Sequence, residues 1–174
     1  GKSLTELNKI LADSDQTSEI SVTDNQILFR TKHLYFLSRL LDGNYPETSR
    51  LIPDESKTVV TIDAKELLQS IDRASLLARE NRNNVVRLIT KGGEQIEING
   101  NSPEVGNVVE EVAAESIEGE ELKISFSAKY MMDALKAVGS DQVKVEFTGA
   151  MRPFLIRAID NDQVLQLILP VRTY

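Results

Sequence analysis

The segment Leu122-Lys-Ile-Ser-Phe-Ser-Ala-Lys-Tyr-Met-Met-Asp-Ala-Leu-Lys-Ala-Val138 changes its hydrophobic period near the middle. Up to Ser127 apolar and polar residues alternate, which predicts a β-strand. Ser127 can accept hydrogen bonds from the free amides of a first helical turn. A helix should follow from Lys129, because apolar residues then recur at helical spacing: Met131, Ala134, Leu135 and Val138.

The same pairing of strand and helix occurs earlier in the chain. Val59-Val-Thr-Ile-Asp63 alternates like a strand, Asp63 is a second cap candidate, and Lys65-Glu-Leu-Leu-Gln-Ser-Ile71 is helix-like. A third helix-like segment, Lys2-Ser-Leu-Thr-Glu-Leu-Asn-Lys-Ile-Leu11, opens the chain. The lysines that open these segments lie 63 and 64 residues apart. An internal repeat is therefore predicted, and in its first copy Leu4, Leu7, Ile10 and Leu11 form the apolar stripe.

Each predicted helix is followed by further strand candidates. The connecting turns are Gly92-Gly93 and Asn161-Asp162. The strand candidates are 19–23, 26–31 and 33–37 in copy one, 85–90 and 95–99 in copy two, and 143–148, 154–159 and 164–169 in copy three. The predicted fold class is α+β, with repeated β-α-β-β-β half-domains and helices on one face of antiparallel sheets.

The copies differ in completeness. Copies two and three are complete over about 57–174, whereas copy one lacks its leading strand. Since Gly1 is not an initiator methionine, we expect the chain to be cut from a longer parent. The boundary is expected within 49–56, which contains Pro53, so that one full domain follows half of another.

Composition restricts the possible functions. The net charge is −7, and seven glutamates with no base between Asn101 and Leu122 account for all of it. We interpret this run as an acidic solvated surface that aids solubility. Any DNA contact must then depend on local basic faces or on geometry. The chain has no cysteine, no membrane-spanning apolar run and no signal peptide, which favours a cytoplasmic protein without thiolate chemistry.

The sequence shows no catalytic pattern. His33 is the single histidine and lies in a strand-like run without a paired nucleophile. Lys91-Gly-Gly93 lacks the remainder of a phosphate-binding loop, and the carboxylates follow no metal-ligand spacing. We expect a protein without enzymatic activity, metal or cofactor.

The repeat and four motifs resemble the bacterial β sliding clamp family, the processivity subunit of DNA polymerase III, of Gram-positive type. The resemblance covers essentially the whole chain. It implies the DNA-clamp fold, with 1–53 as the second half of a middle domain and 54–174 as a complete third domain. The motifs are Phe36-Leu-Ser-Arg-Leu-Leu-Asp-Gly-Asn-Tyr-Pro46, Asp72-Arg-Ala-Ser-Leu-Leu-Ala-Arg-Glu80, Thr148-Gly-Ala-Met-Arg-Pro-Phe-Leu-Ile-Arg157 and Gln166-Leu-Ile-Leu-Pro-Val-Arg-Thr-Tyr174.

The resemblance also implies a cleft for short apolar peptides between the middle and third domains. Leucine, methionine and proline would give a compliant apolar wall, and tyrosine and arginine would give directional bonds. The alternative for Leu167 and Leu169 is ordinary core packing. The implied cleft residues are Pro46, Arg50, Leu51, Arg82, Ser127, Tyr130, Met151, Pro153, Leu167, Leu169, Pro170, Val171, Arg172 and Thr173.

Two further surfaces follow from the resemblance. Leu76 and Leu77 match the family's ring-closing interface, although the buried face of the second helix could account for one of them. The helices would line a pore around duplex DNA, where nearly balanced charge favours sliding; solvated helix faces with ordinary ion pairs are the alternative. The implied DNA-facing cations are Lys2, Lys9, Lys65, Arg73, Arg79, Lys129 and Lys136.

The implied role is that of a non-catalytic processivity factor of the replicative polymerase, acting in the bacterial cytoplasm at the nucleoid. The parent would be a homodimeric ring on duplex DNA, bound without sequence preference. Short peptide motifs would recruit the replicative polymerase, the clamp loader, repair polymerases, mismatch-repair proteins and DNA ligase. The alternatives are an α+β peptide-binding module with no DNA role, and a severed part of an enzyme.

Overall fold

The structure is a computed structural model that describes residues 2–11, 17–44, 47–78 and 84–173. Its contacts divide the chain into two units, Gly1–Glu47 and Thr48–Tyr174. Within the described ranges, no helix is long and apolar enough to cross a membrane. The two units differ in how much apolar surface they bury.

The first unit contains one helix and a three-stranded antiparallel sheet in the order β1-β2-β3. The predicted helix is confirmed. The third strand begins at Tyr35 rather than at His33, because the Thr31 amide donates to the Leu34 carbonyl at 2.8 Å and closes a turn there. The elements are α1 (Lys2–Leu11), β1 (Glu19–Val22), β2 (Gln26–Arg30) and β3 (Tyr35–Arg39).

The predicted apolar stripe of α1 is only partly covered inside this unit. Leu7 is buried, but Leu4 and Ile10 are 60% and 49% exposed. The exposed apolar side chains continue onto the sheet with Leu37. Since burial of such side chains drives folding, this unit presents an unsatisfied apolar surface.

The second unit begins with a 3₁₀ turn at Thr48–Leu51. The second predicted helix is confirmed but extends beyond Ile71 to Ala78, because Ala74 and Ala78 continue the buried stripe. The remaining elements are β4 (Thr58–Asp63), α2 (Ala64–Ala78), β5 (Val85–Lys91), β6 (Gln95–Ser102), β7 (Gly106–Ala113), β8 (Ser116–Gly119), β9 (Lys123–Ser127), α3 (Ala128–Val138), β10 (Gln142–Phe147), β11 (Phe154–Ala158) and β12 (Leu165–Ile168).

The strands of this unit form two antiparallel sheets that exchange their leading strands. One sheet has the order β12-β11-β10-β4-β8, and the other has the order β7-β6-β5-β9. Strand β4, which leads copy two, pairs with β10 of copy three. Strand β9, which leads copy three, pairs with β5 of copy two. The predicted duplication is confirmed, and its two halves complete each other's sheets.

Backbone hydrogen bonds repeat this exchange at both helix starts. The Ala64 amide of α2 donates to the Asp141 carbonyl at 2.8 Å. The Ala128 amide of α3 donates to the Asn84 carbonyl at 2.9 Å. Each acceptor directly precedes the first strand after the other helix. The two halves therefore make reciprocal backbone contacts at equivalent positions of the repeat.

The core lies between the helices and the two sheets. Leu67 and Ile71 of α2 and Met131 of α3 are fully buried, and the predicted stripe of α3 is confirmed. Phe126 of β9 packs on Phe154 of β11 with ring centroids 5.6 Å apart. Phe154 also packs on Phe147 at 4.9 Å. These rings join the two sheets at one point.

The acidic segment 101–122 is ordered structure. Strands β7 and β8 lie within it and both are paired, and the exposure of six of its seven glutamates confirms the predicted acidic solvated surface. Apolar residues on alternate positions of β7 explain the strand: Val108 is half-buried and Val112 is buried. Most of the glutamates still face solvent.

The two helix caps behave differently. The Glu66 amide donates to Asp63 Oδ1 at 2.8 Å, so the predicted cap of α2 is confirmed. Ser127 occupies the cap position of α3, but its side chain makes no capping hydrogen bond, so that prediction is wrong. The Asn84 carbonyl accepts the first amide of α3, as the Asp141 carbonyl does in α2.

This difference predicts unequal effects of two matched substitutions. Asp63→Ala should lower the free energy of unfolding by about 1 kcal/mol, because the Glu66 amide loses its acceptor. Ser127→Ala should change it by less than about 0.5 kcal/mol. Urea unfolding followed by circular dichroism measures both, and equal losses would contradict the cap assignment.

Candidate functional site

The C-terminal tail after β12 is attached to the other sheet. The Val171 amide donates to the Ser125 carbonyl of β9 at 2.7 Å, and Pro170 forms a β-bridge with Phe126. Pro170 and Val171 are half-buried there. The apolar and basic tail therefore has a partner within the second unit.

The tail is the counterpart of β8 in the other half. The Glu115 amide, just before β8, donates to the Thr61 carbonyl of β4 at 2.8 Å. Thr61 and Ser125 lie at the same position of the repeat, two residues before the cap. Each half therefore ends by returning to the free edge of its own leading strand. This return fixes where the tail residues lie on the surface.

The terminal strand turns its leucines away from the core. Ile168 is 6% exposed and belongs to the core, whereas Leu169 is 66% exposed. Leu167 is half-buried and lies opposite Leu155 of β11. Because successive side chains of a strand alternate between faces, core packing does not account for Leu169.

Two further candidates are exposed apolar side chains. Tyr130, in the first turn of α3, is 65% exposed, and the Lys129 ammonium lies 5.8 Å from its ring centroid. Met151 is 54% exposed in the turn between β10 and β11. The Thr148 hydroxyl donates to the Pro153 carbonyl at 3.1 Å and holds this turn closed. The turn thus presents Met151 to solvent in a defined position.

A groove of about 500 Å³ brings other candidates together. Arg50 and Leu51 of the 3₁₀ turn lie on one side, and Pro153 lies on the other. Arg152 also lines the groove, although the sequence analysis did not select it. Its only sequence signal is its place inside the motif Thr148–Arg157. The groove combines guanidinium groups with apolar carbon.

The remaining cleft candidates are placed as follows. Ser127 is half-buried, and Arg172 and Thr173 are exposed at the tail. Pro46 and Arg82 lie outside the described residues. The structure therefore brings Arg50, Leu51 and Pro153 to one groove, and it leaves Tyr130, Met151 and Leu169 exposed on the same unit.

The pair proposed for ring closure lies near the end of α2. Leu76 is 54% exposed, and Leu77 is half-buried. Neither side chain belongs to the buried core. Core packing within the second unit therefore does not use Leu76, which is available for an external contact.

The helix cations fall into two groups. Lys9 pairs with Glu6 at 2.8 Å, Arg73 with Glu110 at 2.7 Å, and Lys129 with Asp133 at 2.7 Å. Lys2, Lys65 and Lys136 are exposed and form no ion pair with another residue in the described ranges. Arg79 lies outside those ranges. The first group is less available to an external anion than the second.

The Arg73–Glu110 pair joins α2 to the acidic strand β7. The Arg73 guanidinium donates two hydrogen bonds to Glu110 Oε2, from Nε at 3.0 Å and from Nη2 at 2.7 Å. These bonds hold the pKa of Glu110 below its usual value, although burial acts in the opposite direction. The Lys129 ammonium likewise lowers the pKa of Asp133 through its hydrogen bond. Both carboxylates are therefore charged at neutral pH.

The chain matches known families over nearly its whole length. Residues 49–172 match the model described as the DNA polymerase III beta subunit, C-terminal domain, and residues 1–47 match its central domain. The beta sliding clamp of Bacillus subtilis (strain 168) is 61% identical over 174 residues, which are 100% of this chain and 46% of that protein. The chain thus spans about half the length of the curated relatives it matches.

Solved structures show the same similarity in three dimensions. The DNA polymerase sliding clamp from Bacillus subtilis matches with a TM-score of 0.90, covering 99% of this chain and 46% of that one. A sliding clamp from Pseudomonas aeruginosa, bound to griselimycin, matches with a TM-score of 0.88 at 26% identity, again over 99% of this chain and 46% of that one. The α+β architecture is therefore shared even at low identity.

Proposed function

The chain belongs to the DNA polymerase III beta subunit family of bacterial sliding clamps, and we propose on that premise that it forms the peptide-docking part of a processivity clamp. The observation that carries the proposal is the pair of half-domains that complete each other's sheets. This architecture packs α2 and α3 against each other and against the sheets, and a helix layer of this kind would face the duplex in a clamp. The proposed role is non-catalytic and cytoplasmic, at the nucleoid.

In this proposal residues 1–53 are the second half of a middle domain, and 54–174 are a complete third domain. The first unit supports this division because it buries so little of its helix stripe. A groove of about 860 Å³ in that unit is lined by apolar side chains that include Leu4, Phe29 and Phe36. The other half of the middle domain would cover this groove, in the way that the two halves of the second unit cover each other.

The proposed peptide surface consists of the tail, the turn at Met151 and the 3₁₀ turn. Its exposed apolar side chains, Leu51, Met151 and Leu169, suit the apolar residues of a peptide motif. The arginines beside them, Arg50 and Arg172, suit a peptide's backbone carbonyls or acidic flanks. The proposed partners are the replicative polymerase, clamp loader, repair polymerases, mismatch-repair proteins and DNA ligase.

The proposed DNA surface consists of the exposed faces of the helices. Paired cations such as Lys129 with Asp133 would make weak phosphate contacts, and cations without an ion pair in the described ranges, such as Lys65 and Lys136, would make stronger ones. A lining of both kinds attracts the duplex without fixing its register. Leu76 and Leu77 would close the homodimeric ring against another protomer.

Met151→Asp should weaken binding of a fluorescein-labelled peptide that carries an apolar clamp-binding motif by at least about tenfold, because a carboxylate would be desolvated in an apolar contact. Fluorescence anisotropy with the full 174-residue chain measures the dissociation constant. Unlabelled griselimycin, the ligand bound in the clamp from Pseudomonas aeruginosa, should compete with the peptide.

Ile159→Asp is the matched control. Ile159 is also an exposed apolar residue, 44% accessible, but it follows the other end of β11. Its substitution should leave the peptide affinity within about twofold, since scattered surface changes have small effects. Equal affinity of both variants and the unsubstituted chain would reject the peptide surface. It would favour the alternative of a module that binds elsewhere.

A further inference from the structure

A row of three polar side chains crosses from β5 to the C-terminal tail. Arg87 Nε donates to Ser125 Oγ at 3.4 Å, and Arg87 Nη2 donates to Thr173 Oγ1 at 3.3 Å. The Ser125 and Thr173 hydroxyls lie 3.4 Å apart. One guanidinium therefore reaches both the edge strand β9 and the tail beside it.

The tail needs such support because its backbone anchorage is short. Strand β8, its counterpart, pairs with β4 at four successive positions from Thr58 to Thr61. Within the described residues the tail makes a single β-bridge, between Pro170 and Phe126, and the hydrogen bond from Val171 to Ser125 is part of it. Few backbone bonds allow easy local opening.

We propose that Arg87 is a positioning residue that holds the C-terminal tail against β9 and so fixes the tail side of the peptide surface. The part concerning the peptide rests on the proposed function. Arg87 lies outside the set of cleft residues, and it acts through Thr173 rather than on the peptide. Its planar fork serves two oxygens at once, which a lysine ammonium cannot reproduce.

The repeat provides a matched control residue. Lys144 of β10 lies opposite Thr61, just as Arg87 of β5 lies opposite Ser125. Lys144 is exposed and makes no side-chain hydrogen bond within the described residues. A methionine at either position removes one positive charge and keeps an unbranched apolar chain. Lys144→Met therefore reproduces the charge change of Arg87→Met without touching the tail.

The experiment measures amide hydrogen exchange of Val171 by NMR in the full chain, together with affinity for the labelled peptide. Arg87→Met should accelerate exchange of this amide by about tenfold, because a charge-assisted anchor is lost. The exchange rate in Arg87→Lys should lie between those of Arg87→Met and the unsubstituted chain. The rate in Lys144→Met should equal that of the unsubstituted chain. The peptide dissociation constant should rise about threefold or more in Arg87→Met. Thr173→Val should add little to Arg87→Met, because both remove the same bond.

Each result decides the proposal. Val171 exchange that is unchanged in Arg87→Met, or equally fast in Lys144→Met, overturns it. Suppose that Arg87→Met speeds Val171 exchange but leaves the peptide affinity unchanged, while Met151→Asp still weakens peptide binding. That result overturns the link between the tail anchor and the peptide. If the unsubstituted chain binds no peptide at all, the proposed function fails, and the exchange comparison alone still decides whether Arg87 anchors the tail.

Discussion

Phe154→Ala should lower the free energy of unfolding of the second unit by about 3–5 kcal/mol, as measured by urea unfolding with circular dichroism. Phe154 is fully buried and contacts Phe126 of one sheet and Phe147 of the other. Its removal leaves a cavity at the point where both sheets meet. Because backbone pairing surrounds this point, the neighbouring rings cannot collapse fully into the space.

Tyr130→Ala is the control for the loss of an aromatic ring from the same unit. Tyr130 is 65% exposed, so its removal should change the free energy of unfolding by no more than about 0.5 kcal/mol. A loss below about 1 kcal/mol for Phe154→Ala would mean that the ring cluster does not hold the sheets together.

Gly100→Ala should lower the free energy of unfolding of the second unit by about 2–3 kcal/mol in the same measurement. A Cβ at Gly100 of β6 would lie 2.0 Å from the Ala74 carbonyl oxygen of α2. Since that oxygen belongs to helix backbone, the helix or the strand must move. Where a Cβ fits, replacing glycine by alanine restricts the unfolded chain and stabilises the folded state by about 0.4–1 kcal/mol. The clash with the Ala74 oxygen outweighs this gain, so the net effect is destabilising.

Gly92→Ala separates these two effects. Gly92 lies in the turn between β5 and β6, and a Cβ there would meet nothing within 4 Å. Its substitution should be neutral or slightly stabilising. A neutral Gly100→Ala would contradict the close approach of α2 to β6.

The sequence predicted the elements of the repeat better than their partners. Periodicity located α1, α2 and α3, because each carries an apolar stripe with helical spacing. It could not predict that β4 pairs with β10 and β9 with β5, since alternation within a strand says nothing about its neighbours. Nor could it predict the carbonyls of Asp141 and Asn84 that accept the first amides of α2 and α3, since both come from distant parts of the chain.

The candidate site was predictable to a similar degree. Resemblance selected exposed side chains such as Met151 and Leu169, whose exposure no local pattern in the sequence indicates. It did not reveal that Glu110 engages Arg73, because 37 residues separate them and Glu110 lies in a uniformly acidic run. The anchoring of the tail by Ser125 was hidden in the same way, since it depends on the edge of strand β9, which lies in the other sheet.

The exchange of leading strands also determines when each sheet can be completed during synthesis. As the chain leaves the ribosome, β4 emerges first, but one of its edges must wait for β10, while β8 can occupy the other. Pairing partners so distant along the chain give a high contact order, which slows folding. The nascent second unit therefore holds an open sheet edge until its last third has been made, and that interval is when it most needs protection from aggregation.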